Sequence, residues 1–293
     1  MGLFDTVDLN MALYILFSVV LLGLVVGSFL NVVIYRLPVS MLRNWRQECV
    51  QYLEENPKGD DDSGETFNIA FPHSHCPQCK APVKAWQNIP VLSYLLLHGK
   101  CASCKATISL RYPIIELVSA ALTAFCIYQF GLTAAGGLAL IFTWCLISLT
   151  MIDVDHQLLP DSITLPLLWL GLLANVGGIY TDLNSAVLGA VFGYGVLWSV
   201  FWLFKLATGK DGMGFGDFKL LAALGAWMGW QMLPLIVILS ALVGAIIGIA
   251  GIIIQGRDKN IPIPFGPYLA VAGWVAFFWG EMLTNSYLQL LQP

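Results

Sequence analysis

Residues 234 to 254 read PLIVILSALVGAIIGIAGIII and contain no charged side chain. An α-helix rises about 1.5 Å per residue, so a stretch of this length matches a hydrocarbon core roughly 30 Å thick. Transmembrane barrel strands are shorter, and their apolar residues alternate with polar ones. The stretch therefore predicts a membrane-spanning helix.

The rest of the 293-residue chain has the same character. It is 58% hydrophobic and 11% charged, whereas soluble proteins are nearer half apolar and a quarter charged. This composition excludes a soluble globule. We expect an all-α polytopic membrane protein with about eight spans, the sixth being the shortest and beginning beside Lys219: residues 11–35, 112–130, 132–152, 163–180, 186–206, 218–233, 234–254 and 265–282. Pairs of glycines four residues apart predict close helix packing within lipid: Gly23/Gly27, Gly189/Gly193, Gly225/Gly229 and Gly244/Gly248.

The 14 lysines and arginines predict the orientation. All of them lie in three segments, 36–111, 205–219 and 257–259, and eight spans place these segments on one side of the membrane. Basic residues are retained in the cytoplasm, so we expect both chain ends to lie outside. Residues 1–10 contain no Lys or Arg, so we expect the first span to be retained rather than cleaved as a signal peptide.

The segment 36–111 interrupts the membrane pattern. We expect a small cytoplasmic metal-binding domain there, between a first transmembrane helix (1–35) and a seven-helix membrane domain (112–293). Its acidic stretch 60–65 is typical of a solvated loop.

Two Cys-x-x-Cys knuckles within this segment predict a metal site. Such pairs supply four thiolates to a tetrahedral ion, and thiols stay reduced in the cytoplasm. Redox-active pairs and chance spacing are the alternatives, and His73 and His75 stand close enough in sequence to compete as ligands. The expected ligands of a structural Zn²⁺ ion are Cys76, Cys79, Cys101 and Cys104.

Two acidic sites stand at the expected cytoplasmic ends of spans. One segment runs from Asp153 through Asp155 to Asp161, and the other is Gly214-Phe-Gly216-Asp217. Acids of this kind also occur simply as markers of helix ends. Ionisable groups at a span are nevertheless costly, which makes both clusters functional candidates. Glycine lets another backbone approach closely, so an extended peptide can reach Asp217.

Two adjacent carboxylates suit peptide hydrolysis. They share one proton, so one acts as a base toward water while the other donates a hydrogen bond to the scissile carbonyl. A phosphate-binding loop is excluded because Lys210 is followed by Asp rather than by Ser or Thr.

These residues resemble the bacterial type IV prepilin leader peptidase and N-methyltransferase family, membrane aspartyl proteases with a Gly-x-Gly-Asp signature. The resemblance covers essentially the whole chain. It rests on the two cysteine knuckles, the 153–161 segment, Gly27-Ser-Phe-Leu-Asn31-Val-Val-Ile-Tyr-Arg36-Leu-Pro38, Arg111-Tyr-Pro113 with Glu116, and Gly214-Phe-Gly-Asp217.

The resemblance implies a bifunctional enzyme of the bacterial inner membrane that serves pilus biogenesis and type II secretion. Such enzymes remove the leader of prepilins and pseudopilins after a glycine, on the cytoplasmic side, and methylate the new amino terminus with S-adenosylmethionine. Asp153 and Asp217 become the catalytic pair, and Asp155, Asp161, Gly214 and Gly216 become supporting residues.

The same resemblance leaves the methyl-donor site open. Asn31, Arg36 and Glu116 are candidates, but each has a structural alternative: an interhelical hydrogen bond, a positive-inside anchor, and a carboxylate favoured by a helix N-terminus. We expect no nucleic-acid partner, and the sequence predicts no oligomeric state.

Two other functions remain to be compared. An ion-coupled transporter also places carboxylates and glycine-rich breaks in a helical bundle, but its site lies near the bilayer midplane between repeats. A non-catalytic assembly scaffold would use the cysteine domain for binding and would tolerate carboxamides at both aspartate positions.

Overall fold

The computed structural model describes residues 8–53, 68–210, 212–255 and 264–291. Within these ranges the chain is helical, with two isolated β-bridges, which confirms the expected all-α class. The predicted acidic loop 60–65 and the basic segment 257–259 lie outside the described residues. The α-helices are α1 (Leu9–Tyr52), α2 (Leu92–Leu96), α3 (Arg111–Phe130), α4 (Ala134–His156), α5 (Asp161–Val176), α6 (Leu183–Thr208), α7 (Phe215–Met228), α8 (Leu233–Gln255) and α9 (Gly266–Leu291).

Each of the eight predicted spans coincides with one of the long helices. In the described part of the chain, five are long and apolar enough to cross a membrane, and α5 is a shorter apolar helix. The five segments are Asn10–Tyr52, Arg111–Phe130, Ala134–His156, Leu183–Thr208 and Trp230–Gly251.

Helix α1 is longer than its predicted span. It continues from residue 35 to Tyr52, through Pro38, although proline removes one backbone donor within a helix. Its 44 residues extend about 66 Å, more than twice the thickness of a hydrocarbon core. The helix therefore carries the chain well beyond the membrane before the cysteine segment begins.

The chain forms two compact units, residues 1–140 and 141–293. In the first unit, α1 packs closely against α3 through two of the predicted glycines. A Cβ added at Gly23 would lie 2.6 Å from Cα of Ala120, and one added at Gly27 would lie 2.7 Å from Cα of Glu116. Only glycine permits this backbone approach. The division of the chain by function, at residues 35 and 111, stays a prediction.

In the second unit, α7 is the central helix. Every residue from 217 to 228 except Lys219 and Met228 is buried, against α5, α6 and α9. Its 14 residues extend only about 21 Å, less than a bilayer core. Because neighbouring helices cover it, α7 does not need the length of a helix that faces lipid.

The C-terminal end of α7 is held against α5 by hydrogen bonds. The Trp227 indole donates a hydrogen bond of 2.8 Å to the carbonyl of Leu167. The buried Asn175 side chain donates to the carbonyls of Ala226 and Trp227, at 2.9 and 3.1 Å. These bonds fix the position of α7 relative to α5 at the end opposite Asp217.

Candidate active site and metal centre

Asp153 lies in the last turn of α4. The helix ends three residues later because Gln157 adopts a positive φ of 53°, and its N–H donates to the carbonyl of Asp153 at 2.9 Å. The side chain of Asp153 is buried, with a residue exposure of 5%. A carboxylate is thereby held inside protein at the end of a membrane helix.

Asp217 lies in the first turn of α7. Gly214 precedes the helix, and the N–H of Asp217 donates to its carbonyl at 3.3 Å. Asp217 is only 7% exposed. Burial of this extent is unusual for an aspartate that has no cationic partner among the described residues, so the position needs a functional explanation.

The two aspartates lie in the same buried region of the second unit. The Asp153 carboxylate is close enough for its charge to act on Asp217. Oδ2 of Asp153 and Oδ1 of Asp217 are both buried, and neither has a hydrogen-bond partner in the described part of the chain. Burying a carboxylate oxygen without a hydrogen-bond partner costs free energy, so these two oxygens are suited to accept hydrogen bonds from a bound molecule.

Gly266, the first residue of α9, completes the surroundings of Asp153. A Cβ added at Gly266 would lie 2.6 Å from Oδ2 of Asp153 and 3.1 Å from Cδ1 of Leu159. Leu159 also lies against Gly216, where an added Cβ would be 2.8 Å from the Leu159 Cβ. Leu159 thus lies between the segments that hold the two aspartates.

Gly214 borders an open space beside Asp217. A Cβ added there would meet one neighbour within 4 Å among the described residues, Oδ2 of Asp217 at 3.8 Å. Its φ of −80° is available to any residue, so conformation does not explain the glycine. The absence of a side chain instead leaves this approach to the carboxylate clear.

The supporting acids differ from the buried pair. Asp155 and Asp161 are both exposed. Asp161 begins α5, and both of its carboxylate oxygens accept hydrogen bonds of 2.7 Å from Nζ of Lys219. Asp155 and Asp161 therefore do not join the buried carboxylate pair.

The four predicted cysteine ligands come together in the first unit. Their Sγ atoms all lie within 4.8 Å of one another, with separations of 3.8 Å between Cys76 and Cys104 and 4.0 Å between Cys79 and Cys101. Zinc–sulfur bonds of about 2.3 Å in a tetrahedron place sulfurs roughly 3.8 Å apart. The geometry therefore fits a four-thiolate metal ion.

The two knuckles have the same backbone conformation. In the first, the N–H of Lys80 donates to the carbonyl of Cys76, and in the second that of Lys105 donates to Cys101, at 2.9 and 3.1 Å. Both lysines have positive φ, 57° and 60°. The sequence repeats as Cys-x-x-Cys-Lys-Ala at positions 76 and 101.

Backbone donors favour the thiolate form of the leading cysteines. The N–H groups of Cys79 and Gln78 lower the pKa of Cys76. Those of Cys104 and Ser103 lower the pKa of Cys101 to about 6. Thiolate, rather than thiol, is the metal-binding form of cysteine.

The three residues that are candidates for the methyl-donor site all form hydrogen bonds with backbone groups of the first unit. Asn31 donates to the carbonyls of Gly27 and Tyr112, both at 3.2 Å. Arg36 donates to the carbonyls of Asn68 and Ile69, at 3.4 and 3.2 Å. These bonds fasten α1 to the start of α3 and to the segment preceding the first knuckle.

Glu116 makes a similar bond. Its Oε2 accepts a hydrogen bond of 2.7 Å from the N–H of Val91. Val91 has a φ of 57°, a strained conformation for a β-branched residue. The bonds of Asn31, Arg36 and Glu116 fit an architectural role, and the contacts that they make define no cradle for S-adenosylmethionine.

Sequence reasoning missed three residues of the site: Leu159, Lys219 and Gly266. Gly266 is 113 positions beyond Asp153, so no local spacing connects the two. The available signal was the sequence Pro264-Phe-Gly-Pro267 at the start of a predicted span, because a proline just inside a helix marks its beginning.

Two family models match most of the chain. A family model described as the bacterial peptidase A24 N-terminal domain matches residues 21–130, and one for the type IV leader peptidase family matches residues 140–249. No solved structure matches.

Three relatives bear the name prepilin leader peptidase/N-methyltransferase. The Pseudomonas aeruginosa protein is 55% identical over 270 residues, 92% of each chain. The Aeromonas salmonicida protein is 52% identical over 282 residues, 95% of this chain and 96% of the relative. The Neisseria gonorrhoeae protein is 53% identical over 258 residues, 87% of each chain.

The protein is thus a helical membrane enzyme of an aspartic peptidase class. More specifically, the chain belongs to the type IV leader peptidase family.

Proposed function

We propose that this enzyme removes the leader peptide from type IV prepilins and pseudopilins by a two-aspartate mechanism and then N-methylates the new amino terminus. The observation that carries the peptidase assignment is the pair of buried carboxylates, Asp153 and Asp217, each with one oxygen that lacks a hydrogen-bond partner among the described residues. The names of the relatives support the choice of substrate.

The chemistry follows from one proton shared between the two carboxylates. The ionised member takes a proton from a water molecule, which attacks the scissile carbonyl. The protonated member donates a hydrogen bond to the carbonyl oxygen and stabilises the charge that develops there. Proton transfer to the leaving amine then completes the cleavage without a covalent intermediate.

The open side at Gly214 supports approach of an extended substrate. A side chain at this position would occupy space beside Oδ2 of Asp217, whereas glycine leaves it free for a peptide backbone. We assign cleavage to the position after a glycine of the leader, on the cytoplasmic side of the bacterial inner membrane. Both chain ends then lie outside, and the mature products serve pilus assembly and type II secretion.

Methylation is the second proposed activity. The α-amine that accepts the methyl group exists only after the leader is removed, so cleavage precedes methylation. S-adenosylmethionine supplies the methyl group when bound. The candidate residues for the methylation step are still Asn31, Arg36 and Glu116, because their hydrogen bonds shape the first unit.

The cysteine cluster is proposed to hold a structural Zn²⁺ ion. Cys76, Cys79, Cys101 and Cys104 supply all four ligands of a tetrahedron, so no position is left for substrate or water. The ion then stabilises a segment with little apolar core of its own.

The decisive experiment uses the purified full-length enzyme and a prepilin in detergent, scored separately for leader removal and methylation. Asp153→Asn and Asp217→Asn should each lower cleavage by at least about 100-fold, since a carboxamide neither takes nor shares the proton. Asp155→Asn, the same change at an exposed aspartate, should lose much less activity. Near-normal cleavage by either buried-site variant would contradict the two-aspartate mechanism.

An active Asp153→Asn with an inactive Asp155→Asn would identify Asp155 as the catalytic member of its segment. Normal cleavage by all three variants would place the catalytic groups elsewhere in the chain, and a wild-type protein that does not cleave would favour the scaffold or transporter alternative.

A further inference from the structure

The ion pair between Lys219 and Asp161 joins the beginnings of α7 and α5. Nζ of Lys219 lies 2.7 Å from both carboxylate oxygens of Asp161, so the contact is bidentate at the carboxylate. Lys219 is two residues beyond Asp217. The pair therefore sits on the same short turn of α7 that carries a proposed catalytic carboxylate.

Stability alone does not account for this pair. The side chains are 29% and 54% exposed, and exposed ion pairs contribute only about 0–1 kcal/mol. The positive end of a helix dipole lies at the N-terminus, so a lysine in the opening turns of α7 is disfavoured there. Asp161, by contrast, begins α5 and is favoured by that helix's dipole.

Helix geometry relates the pair to Asp217. Residues two apart on a helix point in nearly opposite directions. Asp217 faces the buried interior beside Asp153, and Lys219 reaches outward to α5. A tether on one side of the turn thus limits its rotation and fixes the direction of the side chain on the other side.

Ring contacts of Phe215 and Phe218 hold this turn against α6, so the ion pair adds an attachment on the other side, to α5. Gly214 and Gly216 contribute no side chains, and Gly216 contacts Leu159 only through its backbone. At the other end, α7 is fixed to α5 by Trp227 and Asn175. The Lys219–Asp161 pair is the matching attachment at the catalytic end.

We infer that Lys219 is a positioning residue for the peptidase reaction, whose bidentate ion pair with Asp161 holds the first turn of α7 so that Asp217 faces Asp153. This inference rests on the proposed two-aspartate function. It assigns Asp161 a role through Lys219, not through contact with substrate.

The test is a double-mutant cycle on the full-length enzyme with a prepilin substrate. Lys219→Met and Asp161→Asn should each lower kcat for cleavage by about 10- to 100-fold, because a carboxylate displaced by about 1 Å loses its reactive geometry. KM should change little, since neither side chain is assigned a contact with substrate. The double variant should have a kcat no lower than that of the less active single variant, because both changes remove the same interaction.

Three controls separate positioning from general damage. Lys219→Arg, whose guanidinium can donate two hydrogen bonds to the Asp161 carboxylate, should recover most of the lost kcat. Lys210→Met, at an exposed lysine before the same helix, should cleave at the wild-type rate. Methylation of a pre-cleaved peptide should be unchanged in Lys219→Met, which shows that the chain is folded.

Several results would overturn the inference. Wild-type kcat in Lys219→Met, losses that multiply in the double variant, or a loss confined to KM would each do so. If Asp217→Asn is inactive while Lys219→Met is fully active, the positioning role fails and the proposed function stands. If Asp217→Asn cleaves normally, the proposed function itself fails.

Discussion

The backbone of Gly266 lies directly against the Asp153 carboxylate, so that an added Cβ would be 2.6 Å from Oδ2. Gly266 is the first residue of α9, and the N-terminus of a helix carries partial positive charge. The contact thus connects the last helix of the chain to the proposed catalytic pair.

Gly266→Ala should therefore impair cleavage without unfolding the protein. The new methyl group cannot coexist with Oδ2 of Asp153, so the carboxylate must move, and we expect kcat to fall by about 10- to 100-fold. Steady-state cleavage of a prepilin by the purified variant measures this.

The matched control is Gly195→Ala in α6, where an added Cβ meets nothing within 4 Å. Alanine is favoured over glycine in a helix by up to about 1 kcal/mol, so this variant should keep its activity and its unfolding temperature. A fully active Gly266→Ala would show that the close approach to Asp153 has no bearing on the reaction.

Elemental analysis should find about one zinc ion per chain in protein purified without added metal, since four thiolates form a closed tetrahedral site. Replacing both Cys76 and Cys79 by Ser should remove it. Cys49→Ser, at an exposed cysteine of α1 outside the cluster, should leave the metal in place. Four freely alkylated thiols in protein without stoichiometric metal would contradict the assignment.

The features that sequence alone predicted are those coded by local spacing. Runs of apolar residues indicated the eight long helices, and two Cys-x-x-Cys pairs indicated a cluster whose Sγ atoms lie within 4.8 Å. The aspartate segments were found because ionisable groups at membrane helices are rare. Each of these signals is contained in a short stretch of sequence or in a short motif that occurs twice.

The features that it did not predict depend on distant parts of the chain. Helix α1 continues through Pro38, although proline in a sequence normally suggests a helix boundary. Three other features depend on contacts between different helices: the burial of α7, the contact of Gly266 with Asp153, and the ion pair of Lys219 with Asp161. Periodicity along one helix carries no information about which neighbour will cover it.

Asn175 should be among the most important residues for the stability of the second unit. Its side chain is 1% exposed and makes four hydrogen bonds to backbone groups: the carbonyls of Ala226 and Trp227 and the N–H groups of Tyr180 and Thr181. Asn175→Leu keeps the branched shape of the side chain but leaves these groups unsatisfied. We expect a loss of at least about 2 kcal/mol, measured by thermal unfolding in detergent.

The control for Asn175 is Asn184→Leu, the same substitution at an exposed position in the first turn of α6. A surface change of this kind normally alters stability by less than about 0.5 kcal/mol. Equal unfolding temperatures for the two variants would mean that the buried hydrogen bonds of Asn175 contribute no more than an exposed side chain does.

Cleavage and methylation should be separable by substitution. Arg36 is buried in α1 and donates to the carbonyls of Asn68 and Ile69, just before the first knuckle. Arg36→Met removes that attachment, so it should lower methylation more than cleavage. Asn31→Ala, which loses its bond to Tyr112, should act in the same direction. Arg46→Met, at an exposed arginine of the same helix, should affect neither activity.

Asp153→Asn and Asp217→Asn should give the opposite pattern. With intact prepilin both activities should stop, because no α-amine is released for methylation. With a substrate supplied already cleaved, the aspartate variants should still methylate it, and mass spectrometry of the pilin amino terminus measures this directly. If folded Asp217→Asn failed to methylate the cleaved substrate, or if Arg36→Met lost both activities equally, one site would have to serve both reactions.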